Sequence, residues 1–476
     1  MMQSLPDQDA TSPEPLLAPP APSRLGPGRV AFMVALALLC AGVVKTLLPG
    51  MRQASSGARA EAGLIMARAA TRLLYFYLPH EIRGADTRSP LLSRSRFGKA
   101  QISQALAEVA AERYESIAGQ DAFAREALLS AAILYGHAGH NETAVSLLRR
   151  AGAVPPVLLD IYSGWLPGKS WRPGPDVMGI VNSMPAGPLV LVKVYTRLGE
   201  PGKAERAIRK DYGRSLEILA LITAWLLHGA AGPLILLMLV ILRPWRRKGG
   251  LQLGAAGPWN AVEALLLWAV LSFTTATALE FVRQPLGLGA IWAAVISYVV
   301  SGGLAIAWFM WASLPAGHRG LRDLGWTAWR GPLAGLAGYC AIQPLVIGVW
   351  VIVRLFGIDP TPASPALPVL SAATGWAERA AAFILAALAA PIVEETLFRG
   401  IFYGALRRVM RPLFAAPISA VVFGLAHLDL ASVATFAVLG VVLAYLYERT
   451  GSLVAPAVTH GLVNSVSTLL LMAVRQ

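Results

Sequence analysis

Long apolar runs, separated by short charged segments, fill most of the second half of the chain. One earlier run covers residues 30–48. The later runs cover residues 216–242, 259–281, 286–314, 332–355, 376–405, 413–426, 431–447 and 453–474. A membrane helix needs about 20 apolar residues, so we expect about 8–9 spans, with the run at 413–426 short for a full crossing. The pattern predicts an all-α fold, a polytopic transmembrane helical bundle.

Residues 51–214 break this pattern, because they are charged and amphipathic. Within them, residues 132–144 and 192–204 carry tyrosine, glycine and alanine at the same spacing. The shared residues are Tyr135, Gly139 and Ala144 in the first copy, and Tyr195, Gly199 and Ala204 in the second. This spacing resembles the turn and second helix of a tetratricopeptide hairpin, although the copies lie farther apart than the roughly 34 residues of a regular array. We predict an inserted, extracytoplasmic helical, TPR-like domain, with ordinary helical hairpins as the alternative.

The rest of the chain divides into four parts. Residues 1–29 are rich in proline, which predicts a disordered tail. Residues 30–48 are expected to remain as a transmembrane anchor, because no small-residue cleavage pattern clearly follows them. Residues 216–355 are assigned to transmembrane helices, and residues 376–476 form a last block that contains the candidate chemistry.

Composition and charge agree with a membrane protein. The chain is 55% hydrophobic and 14% charged, whereas soluble domains carry about 25% charged residues. The net charge of +14 does not make nucleic acid a partner, because the basic residues cluster at the ends of apolar runs. Basic loops at 243–248, 319–330 and 407–411 alternate with loops poorer in basic residues. We therefore predict a multi-pass protein of a bacterial inner membrane, with residues 51–214 and the C-terminus outside.

Charged residues stand inside the run that begins at residue 376. Glu394, Glu395 and Arg399 would each cost roughly 2.5–3.5 kcal/mol at membrane depth, and such residues are functional by default. On a helix Glu395 and Arg399 are four residues apart and share a face, so they can pair. Glu394 is turned away from them and is left as the free carboxylate. A buried structural charge cluster is the alternative.

Two histidines and an amide complete the candidate site. His427 follows the run at 413–426, and His460 and Asn464 lie four apart in the last run, on one face of a helix. A glutamate, or a glutamate–histidine pair, can take a proton from water, and a histidine–asparagine pair can stabilise an oxyanion. Alternatively, Glu394, His427 and His460 hold a divalent ion such as Zn²⁺, which lowers the pKa of its bound water.

These residues stand in the order Glu394-Glu395-x-x-x-Arg399, Phe423-x-x-x-His427 and His460-x-x-x-Asn464. The order resembles the CPBP family of Abi-type intramembrane proteases, which includes the endopeptidase of prenylated C-a-a-X proteins. The resemblance covers residues 376–476, which it implies to be a protease core. The family is classed as metalloproteases, a metal-free glutamate mechanism has also been argued for it, and the sequence has no HExxH motif that would decide between them.

The resemblance implies a role for each polar residue. It makes Glu394 the catalytic base, Glu395 and Arg399 its support, His427 an aid to water activation, and His460 with Asn464 the oxyanion site or part of a metal site. The function expected is endopeptidase cleavage of a membrane-associated protein or peptide within the lipid bilayer. Residues 51–214 lie outside the family core, which indicates an added module for sensing or for docking a protein partner.

Two other functions remain open at this level. The first is a non-proteolytic immunity or scaffold protein that binds a partner through the TPR-like domain. The complete set of motif residues counts against it, since a degenerate member would have lost some. The second is a transporter with an intramembrane ion relay, which predicts two similar halves. The apolar runs show no such inverted repeat.

Overall fold

The computed structural model describes residues 63–475 apart from gaps at 76–98, 120–123, 166–169, 242–257, 314–320, 327–330, 357–374 and 428–431, in which single residues 78, 168 and 373 are described. The predicted tail at 1–29 and the anchor at 30–48 lie outside these residues. The described residues are helical and contain no β-strand. The predicted all-α class is confirmed.

Short helices form the first part of the described chain. They are α1 (residues 63–75), α2 (Lys99–Ile117), α3 (Ala124–His137), α4 (Asn141–Arg150), α5 (Pro156–Tyr162), α6 (Pro175–Ser183) and α7 (Pro188–Arg197). Their inner faces form an apolar core that extends from Leu64 to Ile208. This segment therefore has a packed interior of its own, as a soluble domain requires.

The two similar stretches in this segment adopt the same local structure. Each is a helix, a tight turn and a second helix, formed by α3 with α4 and by α7 with the helix that follows it. The turn glycines, Gly139 and Gly199, have φ angles of 98° and 69°, which glycine adopts without steric cost. Ala144 and Ala204 are fully buried at the start of the second helix. Helical hairpins of many kinds share this geometry, so it does not identify a tetratricopeptide repeat.

Seven helices of the described chain are long and apolar enough to cross a membrane. They are the Asp211–Ile241 part of α8 (Pro201–Ile241), α9 (Pro258–Arg283), α10 (Ala290–Ser313), α11 (Gly331–Leu355), α12 (Trp376–Val409) and, after the short α13 (Pro412–Leu425), α14 (Val433–Thr450) and α15 (Val454–Arg475). α13 is the run expected to be short, and it has 14 residues. The multi-pass membrane bundle is confirmed.

The long helix α8 joins the N-terminal helical segment, α1 to α7, to the bundle. Its 41 residues extend about 60 Å at 1.5 Å per residue. Its side chain Ile218 is fully buried against Ala69 of α1, and Leu470 and Ala473 near the end of α15 pack against this pair. The N-terminal helical segment thus contacts α15, the helix that carries His460.

α12 lies in the middle of the bundle. It contacts α9, α10, α13, α14 and α15, and the side chains from Glu394 to Tyr403 are all buried. Glu394, Glu395 and Arg399 are therefore enclosed by neighbouring helices and do not face lipid, as the cost of charge in a bilayer requires.

Candidate active site

α12 is a continuous helix with two π-helical segments, Leu385–Ala389 and Glu395–Tyr403, which flank the α-helical turn Ala390–Glu394. π segments are rare and occur frequently at functional sites. Because one residue more fits into each π turn, the segments change the direction in which the following side chains point. The two acids lie where one such segment begins.

The carbonyl of Ala386 connects α12 to α15. In π geometry it would accept from the backbone N–H five residues later, but that residue is Pro391, which has no N–H. Asn464 Nδ2 donates to this carbonyl at 2.9 Å. Asn464 thus satisfies the acceptor that the proline leaves free, and it holds α15 in place beside the acids.

Glu395 is the centre of a buried polar cluster. Its Oε1 accepts from Arg399 Nη1 at 2.9 Å and lies 2.8 Å from His460 Nδ1. The side chains of Glu395 and Arg399 are 0% and 1% exposed, so the pairing expected from their spacing is present and fully desolvated. Since a carboxylate can only accept, His460 carries its proton on Nδ1 and directs Nε2 elsewhere.

Glu394 faces the other side of His460. Its Oε2 is 3.9 Å from His460 Nε2 and has no hydrogen-bond partner among the described residues. Its Oε1, however, accepts a hydrogen bond of 2.5 Å from Tyr298 Oη on α10. The expectation that Glu394 is a free carboxylate therefore holds for Oε2 and is wrong for Oε1, which accepts from Tyr298. Oε2 of Glu394 and Nε2 of His460 face each other.

Phe423 packs against several members of the site. The guanidinium carbon of Arg399 lies 4.2 Å from the centroid of its ring. Its ring is also edge-on to His427 and His460, with centroids 4.9 and 5.7 Å apart. A cation over an aromatic face is attracted by the ring quadrupole. Phe423 thus supports the buried arginine and fixes the two imidazole planes.

His427 follows α13 and faces the same cluster. Its Nδ1 donates to the carbonyl of Phe423 at 3.0 Å, and its ring stacks on Phe436 with centroids 3.8 Å apart. Glu394 and His460 lie within electrostatic range of it. The sequence pattern put His427 near the outer end of its run. It reaches the site because α13, at about 21 Å, is shorter than the roughly 30 Å of a bilayer core.

The trio considered as metal ligands, Glu394, His427 and His460, does not form a metal-binding cluster. Within the described ranges, no three His, Cys, Asp or Glu side chains are arranged to hold a metal ion. Each of the two histidines holds its Nδ1 in a hydrogen bond, to Glu395 or to the backbone, which leaves Nε2 as the ring nitrogen that could bind a ligand.

Sequence reasoning missed Tyr298. It is the only tyrosine in the run at 286–314, and a buried tyrosine hydroxyl usually finds a hydrogen-bond partner. That was a signal that some polar group faces α10. Nothing in the spacing could identify the partner as Glu394, because the two residues lie on separate helices, far apart in the sequence.

Fold and site together define a membrane protein with a glutamate–histidine centre enclosed by helices. Residues 376–466 match the family model described as Type II CAAX prenyl endopeptidase Rce1-like. This region of the chain is an Rce1-like domain of the CPBP family, and the resemblance noted from the motifs is confirmed.

A curated relative supports the same assignment over a shorter stretch. The protein named "Putative membrane peptidase YdiL" of Bacillus subtilis (strain 168) is 37% identical over 82 residues, which are 17% of this chain and 34% of the relative. The chain thus spans about a third of the length of the relative that it matches. No solved structure matches the chain.

Proposed function

We propose that the chain is an intramembrane endopeptidase that hydrolyses a peptide bond of a membrane-associated protein or peptide. The observation that carries the proposal is Oε2 of Glu394, which has no hydrogen-bond partner among the described residues and lies 3.9 Å from His460 Nε2. A buried carboxylate oxygen without a donor is costly, and it persists where it has work to do. The Rce1-like match over residues 376–466 supports peptide hydrolysis as that work.

The proposed reaction uses a water molecule within hydrogen-bond distance of Glu394 Oε2 and His460 Nε2. Glu394 takes a proton while the water oxygen attacks the carbonyl carbon, and the C=O π electrons move onto the carbonyl oxygen. The second N–H of Asn464 Nδ2 is the donor for that oxyanion. The C–N bond then breaks, and Glu394 returns its proton to the leaving nitrogen.

The remaining polar residues act through this pair. Glu395 accepts from His460 Nδ1 and so fixes the tautomer and direction of the imidazole, as a carboxylate does for a catalytic histidine. Arg399 compensates the charge of the buried Glu395. His427 keeps Nε2 as a free acceptor and helps to orient the water. A divalent ion as a further participant is the alternative that a chelator tests.

The N-terminal helical segment has a separate part in the proposal. It has an apolar core of its own, and we propose that it is a TPR-like module that docks the substrate or another protein partner. We infer that it lies outside a bacterial inner membrane, on the alternation of basic loops. If the chain is a non-proteolytic scaffold, this segment carries its whole function.

The test is cleavage of a membrane-tethered peptide library by the purified full-length chain. Glu394→Gln keeps the shape of the side chain and removes the base, so turnover should fall by about 10²–10⁴-fold. Glu378→Gln is the matched control, because Glu378 lies in the first turn of the same helix and outside the site. Each protein is assayed with and without a chelator.

The outcomes distinguish between a glutamate-dependent protease, a metal-dependent protease and a scaffold protein. Parental turnover by Glu394→Gln would refute glutamate as the base. Loss of turnover on chelation would add a metal ion to the reaction. An absence of turnover by the parent and both variants, across a broad library, would favour the scaffold function.

A further inference from the structure

We propose that Tyr298 is a positioning residue for Glu394, holding one carboxylate oxygen so that the other faces His460. The inference rests on the proposed function. The observation is the hydrogen bond of 2.5 Å from Tyr298 Oη to Glu394 Oε1. Tyr298 lies on α10, outside the residues 376–466 that match the family model.

The ring of Tyr298 is held by aromatic packing. Trp268 of α9 meets it edge-on, with centroids 6.3 Å apart and planes at 87°. Trp268 in turn meets Phe398 of α12 edge-on, at 5.8 Å. A tyrosine between an aromatic neighbour and a charged acceptor has few alternative rotamers. Its hydroxyl is therefore presented to Glu394 from a fixed direction.

The close approach of α10 to α12 makes this contact possible. Gly302, one turn after Tyr298, lies against Val393, and a Cβ at this glycine would stand 2.4 Å from Val393 Cγ1. Hydrogen bonds between α9 and α10 flank the tyrosine, from Ser272 to Ser301 at 3.0 Å and between Thr275 and Ser297 at 2.8 Å. These polar links hold α10 on α9 and do not touch Glu394.

The consequence for Glu394 is geometric. With Oε1 occupied, rotation of the carboxylate about its last bond would break a short hydrogen bond to a charged group, the stronger kind. Oε2 is therefore kept toward His460. A glutamate side chain otherwise has several accessible rotamers, and each misdirected one removes the base from the water.

Tyr298→Phe removes the hydroxyl and keeps the ring. With a membrane-tethered peptide that the parent cleaves, kcat should fall about tenfold to a hundredfold, the effect of losing one hydrogen bond to a charged group. KM should stay at the parental value, because substrate contacts are kept, and the melting temperature should fall moderately, because the buried Oε1 of Glu394 loses its donor. Ser301→Ala is the matched control, since it removes an α9–α10 hydrogen bond three residues farther along the same helix.

Two results would overturn the inference. One is a parental kcat in Tyr298→Phe. The other is an equal fall of kcat in Ser301→Ala, which would show that the loss comes from helix packing and not from the hydrogen bond to Glu394. Glu394→Gln is assayed beside them. If it retains activity, the proposed function fails; if it is inactive while Tyr298→Phe is fully active, only this inference fails.

A second measurement needs no substrate. A double-mutant cycle of thermal unfolding with Tyr298→Phe and Glu394→Gln should give a coupling clearly different from zero. The same cycle with Ser301→Ala and Glu394→Gln should give none. Equal couplings in the two cycles would contradict a specific link between Tyr298 and Glu394, even for a chain that cleaves no tested peptide.

Discussion

The carboxylate of Glu395 serves two neighbours at once. Its Oε1 accepts from Arg399 and lies within hydrogen-bond distance of His460 Nδ1, while its Oε2 has no partner among the described residues. A buried ion pair of this kind contributes little net stability, but removal of one partner leaves an uncompensated buried charge. Arg399 therefore supplies the buried cation that balances the carboxylate of Glu395.

Arg399→Met should destabilise the protein by roughly 3–5 kcal/mol, because it leaves the buried Glu395 without its cation. Adding Glu395→Gln to the same chain should restore much of the stability and none of the activity. Thermal unfolding in detergent measures both, and a double variant no more stable than Arg399→Met would contradict this account of the pair.

Single residues were predictable where the contact lies within one helix. The pairing of Glu395 with Arg399 follows from a spacing of four, and so does the shared face of His460 and Asn464. The bond from Tyr298 to Glu394 joins two helices, and its formation depends on how α10 packs against α12. No periodicity in either segment contains that information.

At the scale of elements, the apolar runs predicted the membrane helices well, because length and hydropathy alone determine what can span a bilayer. The two π segments of α12 were not predicted. A proline inside a helix commonly causes a kink, but at Pro391 the helix is continuous, and Asn464 of α15 satisfies the carbonyl of Ala386. That compensation comes from a neighbouring helix, which a local pattern does not reveal.

The close contact between α10 and α12, where Gly302 lies against Val393, gives a prediction about helix packing. Gly302→Ala puts a methyl group 2.4 Å from Val393 Cγ1, so the helices must separate beside Glu394, and activity and melting temperature should both fall. Gly303→Ala is its control, because a Cβ there has no heavy atom within 4 Å. Peptide cleavage and thermal unfolding are measured for both variants. Equal effects of the two substitutions would contradict a specific close contact at Gly302.

At the scale of the whole molecule, five helices that are long and apolar enough to span a membrane, α8 to α12, separate the N-terminal helical segment from the loop before α13. We propose that all five cross the bilayer, and an odd number of crossings would put the segment and this loop on opposite sides. The contact of α1 and α8 with the end of α15 is the one expected if the N-terminal helical segment and the C-terminus share a side. Which of these two sides is the cytoplasmic one is inferred from the basic loops.

Cysteine labelling tests this topology. In a background without Cys40 and Cys340, Ser146→Cys on α4 should react with a membrane-impermeant maleimide added to intact cells. Arg411→Cys, between α12 and α13, should react only after the membrane is opened. Labelling of both sites from the same side would contradict the arrangement of five crossings.

The continuity of α8 has a mechanical consequence. An unbroken helix between the N-terminal helical segment and the membrane does not act as a flexible tether, so a force that tilts this segment also tilts the start of the apolar part of α8. The force reaches α15 at Leu470, ten residues or about 15 Å along the helix from His460. A force on the N-terminal helical segment therefore acts on the helix that carries His460.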